Sequence, residues 1–467
     1  MTKSQLASTS GFRAFSGLFL LAGILAASGA GTARASGFAA ARFGGEHGHV
    51  TTTNPTALYF NPAGIALSSG TALYADGTLA MRRATWTREA GSGDPSEPPG
   101  TEGANVGQAN LSNVFGGPML GASTRLGDFA FGLALSVPFG GRAHWGRNPR
   151  FDGSAQFPLA ADGVQRWHGI EGALTFIYGT LGVAYRFGRV AVGVTGNLIR
   201  SSMFSTQAKT PIGDGSPDTT REGRATLDVR GTHASFAAGT LIELLPGRLW
   251  LGGSYQAQPG LGPMRLSGTI TQEYQGQRSP FPVTLTQALP DVVRVGTRWR
   301  PAEAVELRLA GELTRWSLMQ TQCAALEGSD CRVDTTGADA SMNLGVLQNL
   351  RRRWNDTFGV RAGVSFWARP SLELFAGVAV ENGATPDETL DPALGDADNG
   401  TGTLGLRFQL TRGLLVAASY SHIQYLPRDN RGKSQLATAA APTRRADGGG
   451  RYTQWIGLLN LNLEQRF

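Results

Sequence analysis

From Thr71 onward, apolar and polar side chains alternate in segments of about ten to seventeen residues, the period-two pattern of strands that meet a different environment on each face. Val305, Leu307, Leu309, Gly311 and Leu313 share one face, and Glu306, Arg308, Ala310 and Glu312 the other. Phe129, Phe131, Leu133, Leu135 and Val137 oppose Ala130, Gly132, Ala134 and Ser136. Val293, Val295, Thr297 and Trp299 oppose Arg294, Gly296, Arg298 and Arg300, and Leu404, Leu406, Phe408 and Leu410 oppose Thr403, Gly405, Arg407 and Gln409. The last segment sets Trp455, Leu459, Leu461, Leu463 and Phe467 against Asn460, Asn462, Glu464 and Arg466, and the chain stops on that aromatic. A charge on a lipid-facing surface costs roughly 2–4 kcal/mol at mid-membrane, and these apolar faces carry none.

Short and long connections take turns between the segments. Short turns fall at 126–128, 188–189, 246–247, 301–304, 369–371 and 411–413, and long polar loops near 88–113, 141–169, 205–221, 260–289, 318–353, 383–401 and 427–450. Six short and seven long connections predict fourteen strands. An even count with short turns on one side and long loops on the other is the plan of a closed outer-membrane β-barrel. The expected fold is therefore all-β, a 14-stranded antiparallel transmembrane barrel over 70–467. Trp86, Trp145, Trp299, Trp316, Trp354, Trp367 and Trp455 fall near strand ends and are expected in aromatic girdles.

The beginning of the chain reads differently. Lys3 and Arg13 precede an apolar run from 15 to 27 and an Ala33-Arg34-Ala35 site, the layout of a signal peptide over 1–35 cleaved after Ala35. Residues 36–69 are rich in Gly and Ala and hold Asn54-Pro55 and Asn61-Pro62, so they are expected as turns and short helical pieces. A wide barrel leaves a water-filled bore, and this stretch is assigned as a hatch, a plug inside it. After residue 35 no run of eighteen apolar residues occurs, so a membrane is crossed by strands or not at all.

Composition adds little. The 65 glycines are about twice the usual share, as close strand packing and tight turns demand. Removing the signal peptide lowers the net charge from +7 to about +4, and the basic residues are dispersed, which argues against nucleic acid. Cys323 and Cys331, with seven residues between them, are expected to form a disulfide in the fifth external loop rather than a metal site. The six histidines stand beside no nucleophile motif and Gly-x-Ser-x-Gly is absent, so neither catalysis nor a cofactor is expected.

Several stretches carry a family likeness. Tyr59-Phe60-Asn61-Pro62-Ala63-Gly64 resembles the hatch signature of the FadL/TodX family of outer-membrane transporters for long-chain fatty acids and other hydrophobic compounds. Ser136-Val137-Pro138-Phe139-Gly140, with Trp145 behind it, resembles the family's end of the third strand. Leu289-Pro290-Asp291 through Gly296, Thr314 through Ser317, Arg361 through Val364 and the stretch 386–396 resemble further family segments in the same order. The resemblance implies capture of a hydrophobic small molecule at the external loops, passage to a pocket in the barrel, and lateral release into outer-membrane lipid. It places Asn61, Pro62 and Ala63 in the hatch and Pro138, Phe139 and Gly140 at the wall opening. The final Phe467 resembles the signal read by the outer-membrane insertion machinery, and a monomer is expected in the outer membrane of a Gram-negative bacterium. For a fatty-acid carboxylate, inward Arg294, Arg298, Arg361 and Arg407 are candidate partners, with Arg82 and Arg83 expected nearer the hatch. The competing reading, a general diffusion porin or purely structural barrel, requires an open bore without a plug.

Overall fold

The computed structural model describes residues 43–91, 94–342 and 345–467. The signal peptide at 1–35 and the first residues assigned to the hatch lie outside the described residues. Among the described residues, nineteen strands join in one antiparallel sheet. The wall begins with β1 (Thr71–Arg88), β2 (Gly107–Leu126), β3 (Phe129–His144), β4 (Glu171–Phe187), β5 (Val190–Lys209), β6 (Gly223–Leu245) and β7 (Leu249–Gln256). It continues through β10 (Val292–Ala302), β11 (Val305–Thr314), β14 (Thr357–Arg369), β15 (Leu372–Glu381), β16 (Asn399–Gln409), β17 (Leu414–Tyr425) and β19 (Arg451–Arg466). Each pairs with the next in that order, and β19 returns to β1 from Ala72↔Arg466 to Thr87↔Arg451, so these fourteen close the barrel. Two-residue turns at one rim use Gly127 and Gly188 at φ +65° and +63°, a backbone region that a side chain disfavours.

Side-chain alternation matches that closure. On β19, Leu459, Leu461 and Leu463 are 41–55% exposed, whereas Asn460 and Glu464 are 2–3% exposed. The first three meet lipid, and the polar pair faces the lumen.

The other strands stand in the long loops, within stretches read from the sequence as irregular. The hairpin β8 (Met264–Tyr274) and β9 (Gln277–Gln287) pairs with the outer part of β6, and β12 (Thr321–Leu326) and β13 (Val346–Arg351) extend that sheet. The short β18 (Arg428–Asp429) adds to β19. Pro280 and Pro282 disguise β9; they are tolerated because hydrogen bonding comes from neighbours on both sides at other positions. Cys323 and Cys331 are bonded at a Cα–Cα distance of 6.3 Å, tying β12 to the loop beyond it.

The tryptophans correct one expectation. Trp86, Trp145, Trp316 and Trp354 are at most 4% exposed and pack inward beneath the external loops. Trp367 lies on the Arg361 side of its strand with the Arg300 guanidinium 4.6 Å from its ring. Only Trp299 and Trp455 of the seven follow the lipid-facing alternation. Strand-end position does not specify the face, and parity does.

Residues 43–69 run inside the wall as a turn at Gly45–His47, a helical turn at Ala57–Phe60 and a 3-10 stretch at Pro62–Leu67. They cross the lumen. His47 Nε2 lies 2.7 Å from Glu373 on β15, while Asn61 donates 3.0 Å to the Thr240 carbonyl on β6. Leu58, Phe60 and Ile65 bury against Ala130, Ala134, Ala184 and Ala191, small inward residues of β3 to β5. Glycines open the remaining space. A Cβ at Gly182 would stand 2.5 Å from Leu58, one at Gly193 2.5 Å from the Pro62 backbone, and one at Gly239 2.1 Å from Asn61.

Candidate functional site: an apolar chamber beside a break in the wall

Above the hatch, β3 changes direction. β2 and β3 pair only from Met119↔Ser136 to Leu126↔Phe129; beyond Ser136 the ladder between them stops. On its other side β3 stays paired to β4, with a register shift between Ser136 and Phe139. Val137 and Pro138 thus oppose one residue of β4, a bulge that bends the strand. Pro138 has no N–H for the ladder, and neither does Pro118 at the same level of β2. Pro118 escaped the sequence reading; a proline inside an alternating segment was the available signal. The strands meet again where Asn113 Nδ2 donates to the Arg142 carbonyl at 2.6 Å and Leu111 forms a backbone bridge with Trp145, just past β3.

The bulge also reverses the parity of β3. Phe139 would follow Leu133 and Leu135 outward, yet it is 3% exposed and packs on Phe176 and Tyr178. Gly140 and Gly141 follow it at the edge of a partly open chamber. Leu174, Met203, Leu227, Leu285, Leu289 and Trp354 supply its apolar wall. These residues come from β4, β5, the β6–β8–β9 extension and the loops above, so the unforeseen external sheet is what encloses the chamber.

Part of the lining is cationic. Arg82, His168, Arg352 and Arg445 line the chamber together with Asp391. Asp391 accepts from Ala393 N at 2.9 Å and begins the turn at Pro392–Leu394, as Asp before Pro favours. It faces Arg352 at 3.4 Å, Arg445 at 3.7 Å and His168 Nδ1 at 3.4 Å. Those charges hold the Asp391 carboxyl far below the usual range despite burial, while burial pushes Arg352 down to about 10 and lowers His168. Arg82 donates to Gln454 at 2.6 and 2.9 Å. Among the described residues, no group of three or more His, Cys, Asp or Glu side chains could hold a metal ion.

The arginines selected from the sequence stand elsewhere. Arg294 pairs with Glu312 at 2.6 Å, bonds Gln256 at 3.1 Å, and lies 4.9 Å from the Tyr59 ring of the hatch. Arg361 donates to the Gly48 carbonyl at 3.4 Å, Arg298 stacks 4.1 Å over Trp250, and Arg407 pairs with Glu373 at 2.6 Å. None of the four lines the chamber. Inward parity put them in the lumen, where Arg294 and Arg361 touch the hatch and Arg298 and Arg407 pair with residues of the wall. Arg82 and Arg83 also depart from expectation: Arg82 lines the chamber and Arg83 lies over the outward Trp455 ring at 5.9 Å. Arg352 and Arg445 sit in loops without periodicity, so nothing in their local sequence marked them.

The family model described as outer membrane protein transport protein (OMPP1/FadL/TodX) matches residues 18–448. The chain belongs to the FadL/TodX family. As a family member with a closed fourteen-stranded barrel, it is an outer-membrane transport protein for hydrophobic compounds. A Pseudomonas aeruginosa FadL homologue superposes with a TM-score of 0.72 at 18% identity, covering 94% of this chain and 99% of that one. The P. putida toluene transporter TodX gives 0.61 at 14% identity over 90% and 95%, and the Ralstonia pickettii toluene transporter TbuX 0.58 at 14% over 89% and 94%. No curated protein matches the chain. At these identities the structural likeness establishes the fold, and the chemistry of the chamber has to be read from this FadL/TodX chain itself.

Proposed function

We propose that this protein takes up amphipathic hydrophobic compounds, long-chain fatty acids foremost, through the chamber and releases them sideways at the β2–β3 break. The observation that carries the reading is the chamber's position: an apolar space whose rim includes Gly140 and Gly141, in the strand segment that has left β2. An alkyl chain moving from chamber to lipid never meets water, and each CH2 kept dry is worth about 0.8 kcal/mol. Arg352 and Arg445 in its lining favour an anionic head over a neutral aromatic ring. Toluene transporters among the structural neighbours support the hydrophobic class, and the cationic part of the lining supports the acid within it. Passage across the lumen is opposed by the hatch, held at His47 on one side and Asn61 on the other.

Native mass spectrometry of the protein purified in a mild detergent tests this. A co-purifying fatty-acid-sized ligand and small ion currents in planar bilayers are expected. A ligand-free protein with a large steady conductance would favour a diffusion porin and refute the reading.

A further inference from the structure

Asp391 is a loose counter-ion. Its contacts with Arg352 and Arg445, at 3.4 and 3.7 Å, exceed the roughly 2.7–2.9 Å of a charge-assisted hydrogen bond. Two other buried arginines close such pairs more tightly: Arg166 meets Glu222 at 2.8 Å and Arg294 meets Glu312 at 2.6 Å. Both guanidiniums are buried, each has an Nε without a hydrogen-bond partner, and His168 Nδ1 lacks one too. Arg352 also donates to Gln322 at 2.7 Å and Arg445 to Gln207 and the Trp167 and His168 carbonyls at 3.1–3.3 Å, so two buried cations share one carboxylate as counter-ion and each keeps an unused Nε donor in the lining of an apolar space.

Asp391 is also mechanically placed. It belongs to the segment joining β15 to β16, whose Ala393, Leu394 and Gly395 line the chamber. Arg352 comes from the β13–β14 connection and Arg445 from the last long loop, so one carboxylate ties three loops together. We infer that Asp391 holds the position at Arg352 and Arg445 that a ligand's anionic head would take, and that an amphipathic carboxylate enters by exchanging with it. The exchange conserves charge pairing and releases the segment that carries Ala393 to Gly395. A neutral amphiphile cannot complete the exchange, because it would leave both guanidiniums unpaired in a buried site. Asp391 is therefore a specificity-determining residue that acts by competition.

The inference rests on the transport reading and is tested separately from it. Decanoate and decan-1-ol are titrated into the full chain in nonionic detergent, following tryptophan fluorescence, which reports the chamber through Trp354. The quantity read is the ratio of acid to alcohol affinity, which does not depend on the folded fraction because both ligands meet the same sample. Asp391→Asn is expected to raise the ratio at least tenfold, and Arg352→Gln to lower it at least tenfold. An unchanged ratio in both variants, with both ligands still binding, overturns the inference and leaves transport standing. If neither ligand binds the unaltered protein, both readings fall.

Discussion

Replacing Asn61 by Ala tests how the hatch is held. The Asn61 side chain is fully buried and makes three hydrogen bonds: to the Val50 carbonyl at 2.8 Å, to the Thr240 carbonyl at 3.0 Å, and from Ala63 N at 3.2 Å. The first and third hold the hatch to itself, and the second holds it to β6. A net value near 1 kcal/mol for each bond makes the loss about 3 kcal/mol, or roughly a hundredfold more of the released hatch. Stranding the two carbonyls pushes in the same direction. The wall should be indifferent, because its own ladder, such as Gly239↔Ser254, does not involve Asn61. Hydrogen exchange of Asn61→Ala in lipid nanodiscs is the assay. Amides of 57–67 should exchange about a hundredfold faster while those of β1 and β2 keep their protection. Unaltered exchange at Ala63 and Gly64 would refute the argument that this side chain anchors the hatch.

Two further outcomes follow from the external loops. Burial raises the Asp396 carboxyl to about 8, against the opposing amide bonds from Ala384 and Thr385. The packed segment thus holds a proton up to about 8 that the released segment gives up near 4. Stability of the segment is therefore greatest at low pH, falls by about 1.4 kcal/mol per unit between those values, and levels off above them. Exchange at Ala384 and Thr385 should quicken across that window, and Asp396→Asn should abolish the slope. Converting both Cys323 and Cys331 to Ser should cost the fifth external loop about 2–3 kcal/mol by loop-closure entropy; faster proteolysis there with an intact barrel is the expected result.

The wall was legible because lipid and lumen impose opposite chemistries on successive residues, so Leu459, Leu461 and Leu463 and their neighbours Asn460 and Glu464 declare their faces. The hatch was partly legible: Asn61-Pro62 marks a capped turn, with Asn61 accepting from Ala63 N before the proline-led 3-10 stretch. What received it was not, since Gly182, Gly193 and Gly239 read as ordinary barrel glycines until their inward facing is known. The chamber was least legible. Its cationic lining gathers His168, Arg352, Asp391 and Arg445 from four separate loops, and its walls are loop strands in stretches broken by proline. Parity could direct attention only to arginines on wall strands, and none of those selected lines the chamber. Pro138 is marked in the sequence by its missing N–H, yet the flip that turns Phe139 inward depends on a bulge fixed by pairing with β4.

The central claim is that hydrophobic cargo leaves through the β2–β3 break. Gly141 offers the direct test: it lines the chamber at the break, and a Cβ there meets nothing within 4 Å, so a large side chain enters open space. Uptake of a labelled long-chain fatty acid is measured in cells carrying either the unaltered protein or Gly141→Phe, at matched levels of folded barrel in the outer membrane. The account predicts at least a tenfold loss of uptake in Gly141→Phe. Equal uptake by the two would contradict it.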